Sequence, residues 1–560
     1  MKTMMFDRTT LLVLLASAAL LIAVNALPDR SVARADPKGI KYTGTASCTG
    51  CHGEDFDKNK PDAKKAKEVD IWNRLDPHSK TFSVQLTGEA AQAMAKKLNI
   101  ADPTTNENCL SCHALTGPSM QTPHKRVTLQ KADTHTDHQT FEGVSCAACH
   151  GPSGHDKNTG WLAPHKDPGW TQKQREATGS VALFDKVGLY DTKDLRLRAS
   201  LCYSCHVIND SALIAAGHPH RPFDANILYT RYKRTSHFPG DKDPLAESKL
   251  WAVGQAVTLA NLAAETRDAL KAKKDAPQLA LLKQHLFAHA LMVRQIVSAD
   301  SAALQKIDAQ LEIVGEKGPD AWDSALQVLN EVGTQQSEKL NAQKIDRAVA
   351  EGFLKGVAAE ASQAAAAGLP GANQFIFSLA SLWGNLKDAV PANDERFTKI
   401  KGLARVLRPL NNDESKYDAA VRAQFLAEAK AVADLFPGGQ SLPLKALPKD
   451  SSSQPAPAPA VVIAPEPKPD PKPPVTEPVK PEVAPIKEPP PQVVADTPKA
   501  AVPEPTRRRV YEDYSKRPPV QPAEYGKQLF CLECGMQWPL STNYCGRCGR
   551  ELPKWEEVKP

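Results

Sequence analysis

The twelve cysteines are the residues of this chain best suited to chemistry, because every one belongs to a C-x-x-C pair. In four pairs histidine follows directly (CTGCH, CLSCH, CAACH and CYSCH), whereas in the other two glycine follows (CLECG and CGRCG). The histidine-bearing motifs are Cys48, Cys51 and His52; Cys109, Cys112 and His113; Cys146, Cys149 and His150; and Cys202, Cys205 and His206. The pattern therefore divides the thiols into two kinds of site.

C-x-x-C-H is the attachment signature of c-type haem. Two thiols three residues apart can add to the two vinyl groups of one porphyrin, and the next residue then places an imidazole nitrogen under the iron. Thioredoxin-like dithiols and paired disulfides are the alternatives for a single motif, but four motifs in one chain favour haem. The sequence predicts four covalent haems, with irons on His52, His113, His150 and His206.

The sixth position of each iron needs its own ligand, and histidine is the residue in best supply. Of the 15 histidines, four complete the motifs, and nine of the remaining eleven fall between Asp36 and Pro239. Only Met94, Met120 and Met292 compete between the first motif and the last cysteine pairs. Because methionine raises the potential relative to a second histidine, we expect bis-histidine irons of low potential.

Four of these histidines are the best placed for the distal side. His155 follows the third motif across GPSG and is too near to reach round its own haem, so we expect it to ligate a neighbouring iron. The candidate distal ligands are His78, His138, His155 and His218, with His135, His220 and His237 as reserves. His124 and His165 have the character of solvated loop residues.

Three stretches carry a resemblance to a known family: WNRLDPHS, FEGVSCAACHGPSGH and LCYSCHVINDSALIAAGHPH. They resemble the tetrahaem cytochrome c family that accepts electrons from hydroxylamine oxidoreductase, over roughly Tyr42 to Trp251. The resemblance implies haems stacked in close pairs within a mostly helical, loop-rich domain, with His78, His138, His155 and His218 as distal ligands. In some relatives one haem lacks a distal ligand and can bind a small molecule.

The N-terminus has the composition of a secretory signal. A basic start precedes a seventeen-residue apolar run from Leu11 to Leu27, and Ala33 and Ala35 offer a cleavage site before Asp36. An uncleaved anchor is the alternative, since about 20 residues span a bilayer. We therefore expect a periplasmic or otherwise exported protein, which meets a membrane only if the segment stays attached.

Charge gives no sign of a nucleic-acid partner. The net charge is +6, and the Lys and Arg residues are scattered rather than gathered into a stripe. Redox partner proteins are the expected partners instead.

Helical periodicity dominates from Lys249 to about Phe436. Leu279, Leu282, Leu286, His289, Val293 and Ile296 fall on one helix face, and Leu304, Ile307, Leu311 and Val314 repeat the spacing. KGPD, GLPG and AVPAND read as turns, which predicts a bundle or loose array of about six helices. His285 and His289 have a metal-compatible i, i+4 spacing, but ordinary surface or core histidines are favoured because no third ligand is evident.

A proline-rich linker and a small cysteine module end the chain. Between Pro443 and Pro522 lie 23 of the 46 prolines, a composition that cannot bury enough surface to fold. In the tail, Cys531, Cys534, Cys545 and Cys548 have the spacing of a short zinc ribbon, with two disulfides or a rubredoxin-like iron as alternatives. We expect one zinc, and a protein-docking role for the ribbon is a hypothesis.

Together these patterns predict a mainly α fold in five parts. They are a signal peptide (1–35), a tetrahaem cytochrome c domain (36–248), a helical domain (249–440), a disordered linker (441–525) and a zinc-ribbon-like module (526–556). The leading hypothesis is an electron carrier, not an enzyme. The alternatives are a multihaem oxidoreductase that acts on a small nitrogen compound at an open haem, and a scaffold. No C-x-x-C-K variant of the kind some nitrite-reducing relatives use is present.

Overall fold

The computed structural model describes residues 40–52, 68–114, 116–118, 126–128, 142–154, 160–167, 169–219, 222–230, 245–386, 394–410, 413–445, 528–530 and 537–539. Residues 1–454 form one compact unit and residues 455–560 a second. Within the first unit we call residues 40–219 the haem-motif region and residues 245–445 the helical region. The predicted signal peptide lies outside the described residues, as does the predicted linker apart from residues 441–445.

The haem-motif region consists of short helices joined by loops. Its helices are α1 (Ala46–His52), α2 (Glu68–Leu75), α3 (Glu89–Lys97), α4 (Glu107–His113), α5 (Cys146–His150), α6 (Trp170–Thr178), α7 (Ser180–Val187), α8 (Leu195–His206) and α9 (Ser211–Ala216). A 3₁₀ turn (Pro77–Lys80), a π turn (Thr81–Leu86) and a second 3₁₀ turn (Pro164–Lys166) lie between them. Strands β1 (Thr116–Pro118) and β2 (Arg126–Thr128) pair antiparallel, with Gly117 opposite Val127.

The helical region contains nine α-helices among its described residues. After α10 (Ala225–Thr230) come α11 (Ala246–Lys271), α12 (Ala276–Ile296), α13 (Ser301–Glu316), α14 (Trp322–Ala342), α15 (Arg347–Ala359), α16 (Ala361–Ala366), α17 (Gly368–Leu386), α18 (Glu395–Leu407) and α19 (Ala419–Ala433). The mainly α prediction is confirmed. The predicted number of about six is too low, and the short α16, bounded by Glu360 and Ala367, is one of the additional helices.

The predicted helix faces are correct where the structure describes them. Leu282, Leu286 and Val293 on α12, and Ile307 and Leu311 on α13, are completely buried. KGPD separates α13 from α14 as predicted. GLPG instead opens α17, since proline is tolerated in the first turn of a helix, and AVPAND lies largely outside the described residues.

Helix α11 is the centre of the helical region. Most of its residues are buried, as expected for a helix surrounded by others, and it packs against α8, α12 and α14. Gly333 of α14 faces the backbone of α11 so closely that an added Cβ would lie 2.8 Å from the carbonyl oxygen of Ala256. Glycine is therefore required where these helices cross.

The apolar core extends from the helical region into the fourth motif. Ala199 and Tyr203 of α8, together with Phe223, belong to the same cluster of buried residues as Trp251 and Leu259 of α11. Elsewhere in the haem-motif region the buried apolar residues form small groups, such as Tyr42 with Val144, Ala147 and Ala148. Another joins Trp161, Leu183 and Leu189.

In the second unit, strands β3 (Gln528–Phe530) and β4 (Gln537–Pro539) form an antiparallel pair with Leu529 opposite Trp538. The first C-x-x-C-G pair, Cys531 and Cys534, lies in the connection between them, outside the described residues. Across the parts of the chain that the structure describes, no helix combines the length and the hydropathy needed to cross a bilayer.

Candidate haem-binding site

Each C-x-x-C-H motif occupies the C-terminal end of a helix, and each helix ends at the motif histidine. This holds for α1, α4, α5 and α8, which end at His52, His113, His150 and His206. Residues three and four apart lie on one helix face, so in the second, third and fourth motifs the two cysteines and the histidine point to the same side. A single flat ligand can therefore meet all three side chains.

The described motif cysteines carry thiols rather than disulfides. Those of the second, third and fourth motifs and Cys48 of the first are partly buried, and none forms a disulfide bond. A hydrogen bond between the thiols of Cys48 and Cys146 raises the pKa of Cys146. The first and third motifs therefore lie side by side.

Polar side chains fix the motif helices. Asp194 caps α8, where its carboxylate accepts a hydrogen bond from the Arg196 amide at 3.0 Å. Asn106 caps α4 in the same way. Glu142, four residues before Cys146, accepts hydrogen bonds from the amide and hydroxyl of Thr45 at 2.9 Å, which joins the third motif to the start of α1.

Among the described histidines, three pairs of imidazole rings face one another. The ring centres of His52 and His165 are 6.1 Å apart, and those of His113 and His218 are 6.2 Å apart. In the third pair, His78 and His206 are separated by 5.8 Å. Two imidazoles bound to one metal from opposite sides, with metal–nitrogen bonds of about 2 Å, place their ring centres about 6 Å apart. Each pair has the spacing of a bis-histidine metal site.

The ring planes divide the three pairs into two classes. His52 and His165 are nearly parallel, at 11°. The planes of His78 and His206 cross at 72°, and those of His113 and His218 cross at 71°.

The Nδ1 atoms of four paired histidines contact oxygen acceptors or hydroxyls. His52 lies 2.9 Å from the Glu68 carboxylate and His78 lies 3.0 Å from that of Asp76. The remaining partners are the Thr171 hydroxyl, 3.2 Å from His165, and the Pro219 carbonyl, 3.1 Å from His218. A proton held on Nδ1 leaves the Nε2 lone pair available, and metal-binding histidines commonly have this arrangement.

Electrostatics differ among the motif histidines. The hydrogen bond with Glu68 raises the pKa of His52. Burial lowers the pKa of His113, which keeps that imidazole neutral. A neutral imidazole is the form that binds a metal.

One family model matches the chain: cytochrome c554 and c-prime, over residues 47–151. The matched segment contains the first, second and third motifs in full. The match supports a multihaem c-type cytochrome. No curated protein and no solved structure matches the chain significantly. C-type cytochromes hold haem iron covalently, and the cysteines and imidazoles described above are the groups that such binding requires.

Two buried polar atoms beside the third motif also fit a bound group. Ser145 Oγ and Trp161 Nε1 are buried, and neither has a hydrogen-bond partner among the described residues. Ser145 directly precedes Cys146, and Trp161 lies beside His150. Buried donors of this kind normally find acceptors, and the carboxylates of a haem are acceptors of the right chemistry. The residues present therefore fit haem.

The structure describes two of the four predicted distal ligands. His78 and His218 lie in imidazole pairs, whereas His138 and His155 fall outside the described residues, as do the reserves His135, His220 and His237. His165, which the sequence suggested to be a solvated loop residue, is exposed on one side but faces His52 with the other. The sequence signal that favours a packed environment for His165 is Trp161, four residues earlier.

Gly143 allows the segment of His78 to approach the third motif. Its φ is +76°, and an added Cβ would lie 2.5 Å from the His78 carbonyl oxygen. That carbonyl accepts a hydrogen bond from the Val144 amide at 3.0 Å, and the Trp72 indole donates to the Val144 carbonyl at 3.0 Å. Trp72 thus orders the chain before Cys146.

The fourth motif is joined to the helical region by polar contacts. The hydroxyl of Tyr203, within CYSCH, donates to Glu265 of α11 at 2.7 Å, and the Asn209 amide donates to the same oxygen at 3.1 Å. Burial raises the pKa of Tyr203 well above its usual range, so the hydroxyl stays protonated.

His285 and His289 are buried on α12. The Nδ1 atom of His289 lies 2.8 Å from Gln255 Oε1, and burial lowers its pKa to about 3. The described ranges contain no cluster of three or more His, Cys, Asp or Glu side chains spaced to hold a metal ion. Cys545 and Cys548, like Cys531 and Cys534, lie outside those ranges.

Proposed function

We propose that this chain is an exported multihaem c-type cytochrome that carries electrons between redox partner proteins through four covalently attached haems. The observation that carries the proposal is the set of three imidazole pairs. Each pair joins one motif histidine to one histidine from elsewhere in the chain, at the spacing of a six-coordinate iron.

The chain's residues divide the work of binding. The eight motif cysteines form the thioether bonds, and the motif histidines are the proximal ligands. His165, His78 and His218 are the distal ligands opposite His52, His206 and His113. His138 is the candidate opposite His150, since His155 is too near to reach round that haem.

When bound, the haem irons supply one-electron oxidation and reduction. The imidazoles make oxidation easier than a methionine ligand would, and the carboxylates of Glu68 and Asp76 hold a proton on the Nδ1 atoms of His52 and His78 and increase ligand basicity. The contact between Cys48 and Cys146 brings the first and third attachment points together, which favours electron exchange between neighbouring sites.

Iron analysis tests this proposal. We expect the mature protein, purified from a host that attaches c-type haems, to contain four irons per chain with low-spin spectra. A colourless protein, or one with fewer than four covalent haems, would contradict it. Carbon monoxide tests the alternative of a haem enzyme, because a spectral shift of one reduced haem in four would require an open iron.

The terminal module is proposed to hold one zinc through Cys531, Cys534, Cys545 and Cys548, at the end of a flexible linker that lets it dock to a partner. We expect one zinc per chain in the intact protein. Cys545→Ser should remove zinc and leave the four irons in place, whereas zinc-free intact protein with two disulfides would contradict the site.

Export is proposed from the leader. N-terminal sequencing of the mature protein should give Asp36 as its first residue. A mature chain that still begins at Met1 and sediments with membranes would instead indicate an anchor.

A further inference from the structure

The ring of Trp161 contacts two histidines that belong to different proposed haem sites. Its ring centre lies 5.5 Å from that of His165, with the planes at 84°, and 6.2 Å from that of His150, with the planes at 59°. His165 faces His52 of the first motif, whereas His150 belongs to the third. A single side chain therefore borders ligand positions of two haem sites.

The backbone around Trp161 is fixed from both directions. The amides of Trp161 and Leu162 both donate to the Ser153 carbonyl at 3.0 Å, and Ser153 lies three residues after His150. One turn later the His165 amide donates to the Trp161 carbonyl at 2.9 Å. Each histidine is thus connected to Trp161 by a short run of hydrogen-bonded chain as well as by its ring.

The ring of Trp161 is held by apolar packing. Only 8% of the residue is exposed, and it packs with Leu183 and Leu189 in the small cluster that Trp170 also borders. Because this cluster is anchored on α7, Trp161 has little freedom to change its orientation. A rigid aromatic ring in contact with two imidazoles limits the rotation of both.

We propose that Trp161 is a positioning residue shared by the first and third haem sites, which sets the ring orientation of His165 and His150 together. The inference rests on the proposed function, since it assumes that both histidines bind iron. The inference adds that one side chain, Trp161, affects the ligand fields of these two irons and leaves those of the other two unchanged.

The test compares Trp161→Leu and Trp161→Phe with Trp170→Leu in the mature haem-loaded protein. Trp170 is the matched control, because it packs on the same cluster but is not in ring contact with a described histidine. The electron paramagnetic resonance spectrum is the main readout. Nearly parallel imidazole planes, as in His52 and His165, give a signal distinct from that of crossed planes.

We expect Trp161→Leu to shift and broaden the parallel-plane signal and to move the midpoint potentials of two haems, while the signals of the two crossed pairs stay unchanged. Trp161→Phe should cause a smaller shift of the same signal, and Trp170→Leu should cause none. Unchanged spectra in the leucine variant would overturn the inference, as would equal changes in all four haems. If the leucine variant does not mature, an unchanged phenylalanine variant would overturn it.

Different measurements test the proposed function and the positioning role of Trp161. Wild-type protein with fewer than four irons would contradict the electron carrier itself, whereas four irons with a spectrum insensitive to Trp161 would contradict only the positioning role.

Discussion

Between residues 245 and 445 the interior is built of aliphatic and aromatic side chains. Between residues 40 and 219, apart from Ala199 and Tyr203 of α8, the described buried apolar residues form small separate groups. The long helix α11 is covered on nearly all faces. Near α5, by contrast, the local group has only Tyr42, Val144 and two alanines. A porphyrin is a large flat apolar surface, so the four proposed haems can supply the burial that the haem-motif region lacks. The comparison implies that the two regions depend on haem to very different degrees.

The largest expected effect is that of withholding haem. In protein produced without haem attachment, we expect residues 245–445 to keep their hydrogen-exchange protection. The haem-motif region before α8 should lose a protection worth roughly its own unfolding free energy, about 5–15 kcal/mol for a domain. Hydrogen-exchange mass spectrometry against the haem-loaded protein measures this. Equal protection of both regions without haem would show that the first has a sufficient core of its own.

The next effect concerns one site of the haem-motif region. His165→Ala should leave the iron on His52 without its distal imidazole, because the two rings face each other at 6.1 Å. One haem in four should then bind carbon monoxide when reduced, and the parallel-plane resonance signal should disappear. His124→Ala is the control and should do neither. If His165→Ala leaves the spectrum intact, another residue ligates that iron.

A smaller effect probes the helical region's contact with α10. Asp224 caps α10 by accepting a hydrogen bond from the Ile227 amide at 2.9 Å, and burial raises its pKa from 3.8 to about 7. The folded protein therefore binds a proton that the unfolded chain releases, and the group's contribution to stability decreases as pH rises from about 4 to about 7. Asp224→Asn should remove this pH-dependent contribution. The unfolding free energy of the variant minus that of the wild type should therefore increase between about pH 4 and pH 7, by at most about 4 kcal/mol.

Urea unfolding followed by circular dichroism at pH 5 and pH 8 checks this prediction. Asp210→Asn, at an exposed helix cap, is the control and should show the same difference from wild type at both values. The buried His289, whose pKa is lowered to about 3, acts in the opposite direction below about pH 6.5 but is common to all variants. A constant difference for Asp224→Asn would mean that Asp224 does not take up a proton on folding.

The smallest effect tests the connection between the regions. Tyr203→Phe removes the hydrogen bond to Glu265 and should lower the unfolding free energy by about 1–3 kcal/mol. Because Tyr203 lies within the fourth motif, the potential of that haem alone should also shift. Tyr417→Phe, whose hydroxyl contacts the Ala365 carbonyl inside the helical region, should affect stability but no haem. A shift of all four potentials by Tyr203→Phe would contradict a local connection.

The spacing of nearby residues in the sequence was sufficient to predict the buried helix faces and the arrangement of the motif side chains. The apolar spacing of α12 and α13 identified their buried faces, and the C-x-x-C-H spacing identified groups that the structure places on one side of α4, α5 and α8. Both rest on residues within a few positions of one another, where helical geometry alone decides what shares a face.

Contacts between distant segments could not be predicted in the same way. Nothing in the spacing of His165 indicates that it faces His52, because a 3₁₀ turn and the packing of Trp161 bring it there. The sharing of one core by α8 and α11 was equally hidden, since the composition changes near Lys249 while the packing continues across that point. The sequence therefore shows which residue types can bind a metal or haem, and tertiary packing determines which of these residues lie in contact.

The paired histidines are 113, 128 and 105 positions apart along the chain, the differences between 52 and 165, 78 and 206, and 113 and 218. In the proposed holoprotein each of these three irons is therefore a cross-link that closes a loop of more than a hundred residues, much as a disulfide would. In the chain-entropy model, a closure of that length removes about 4–5 kcal/mol of freedom from the unfolded state. The loops also overlap. If the chain is exported as proposed, the first loop closes only after His165 has left the export channel, and the last only after His218 has emerged. Translocation itself would then set the order in which the sites become complete.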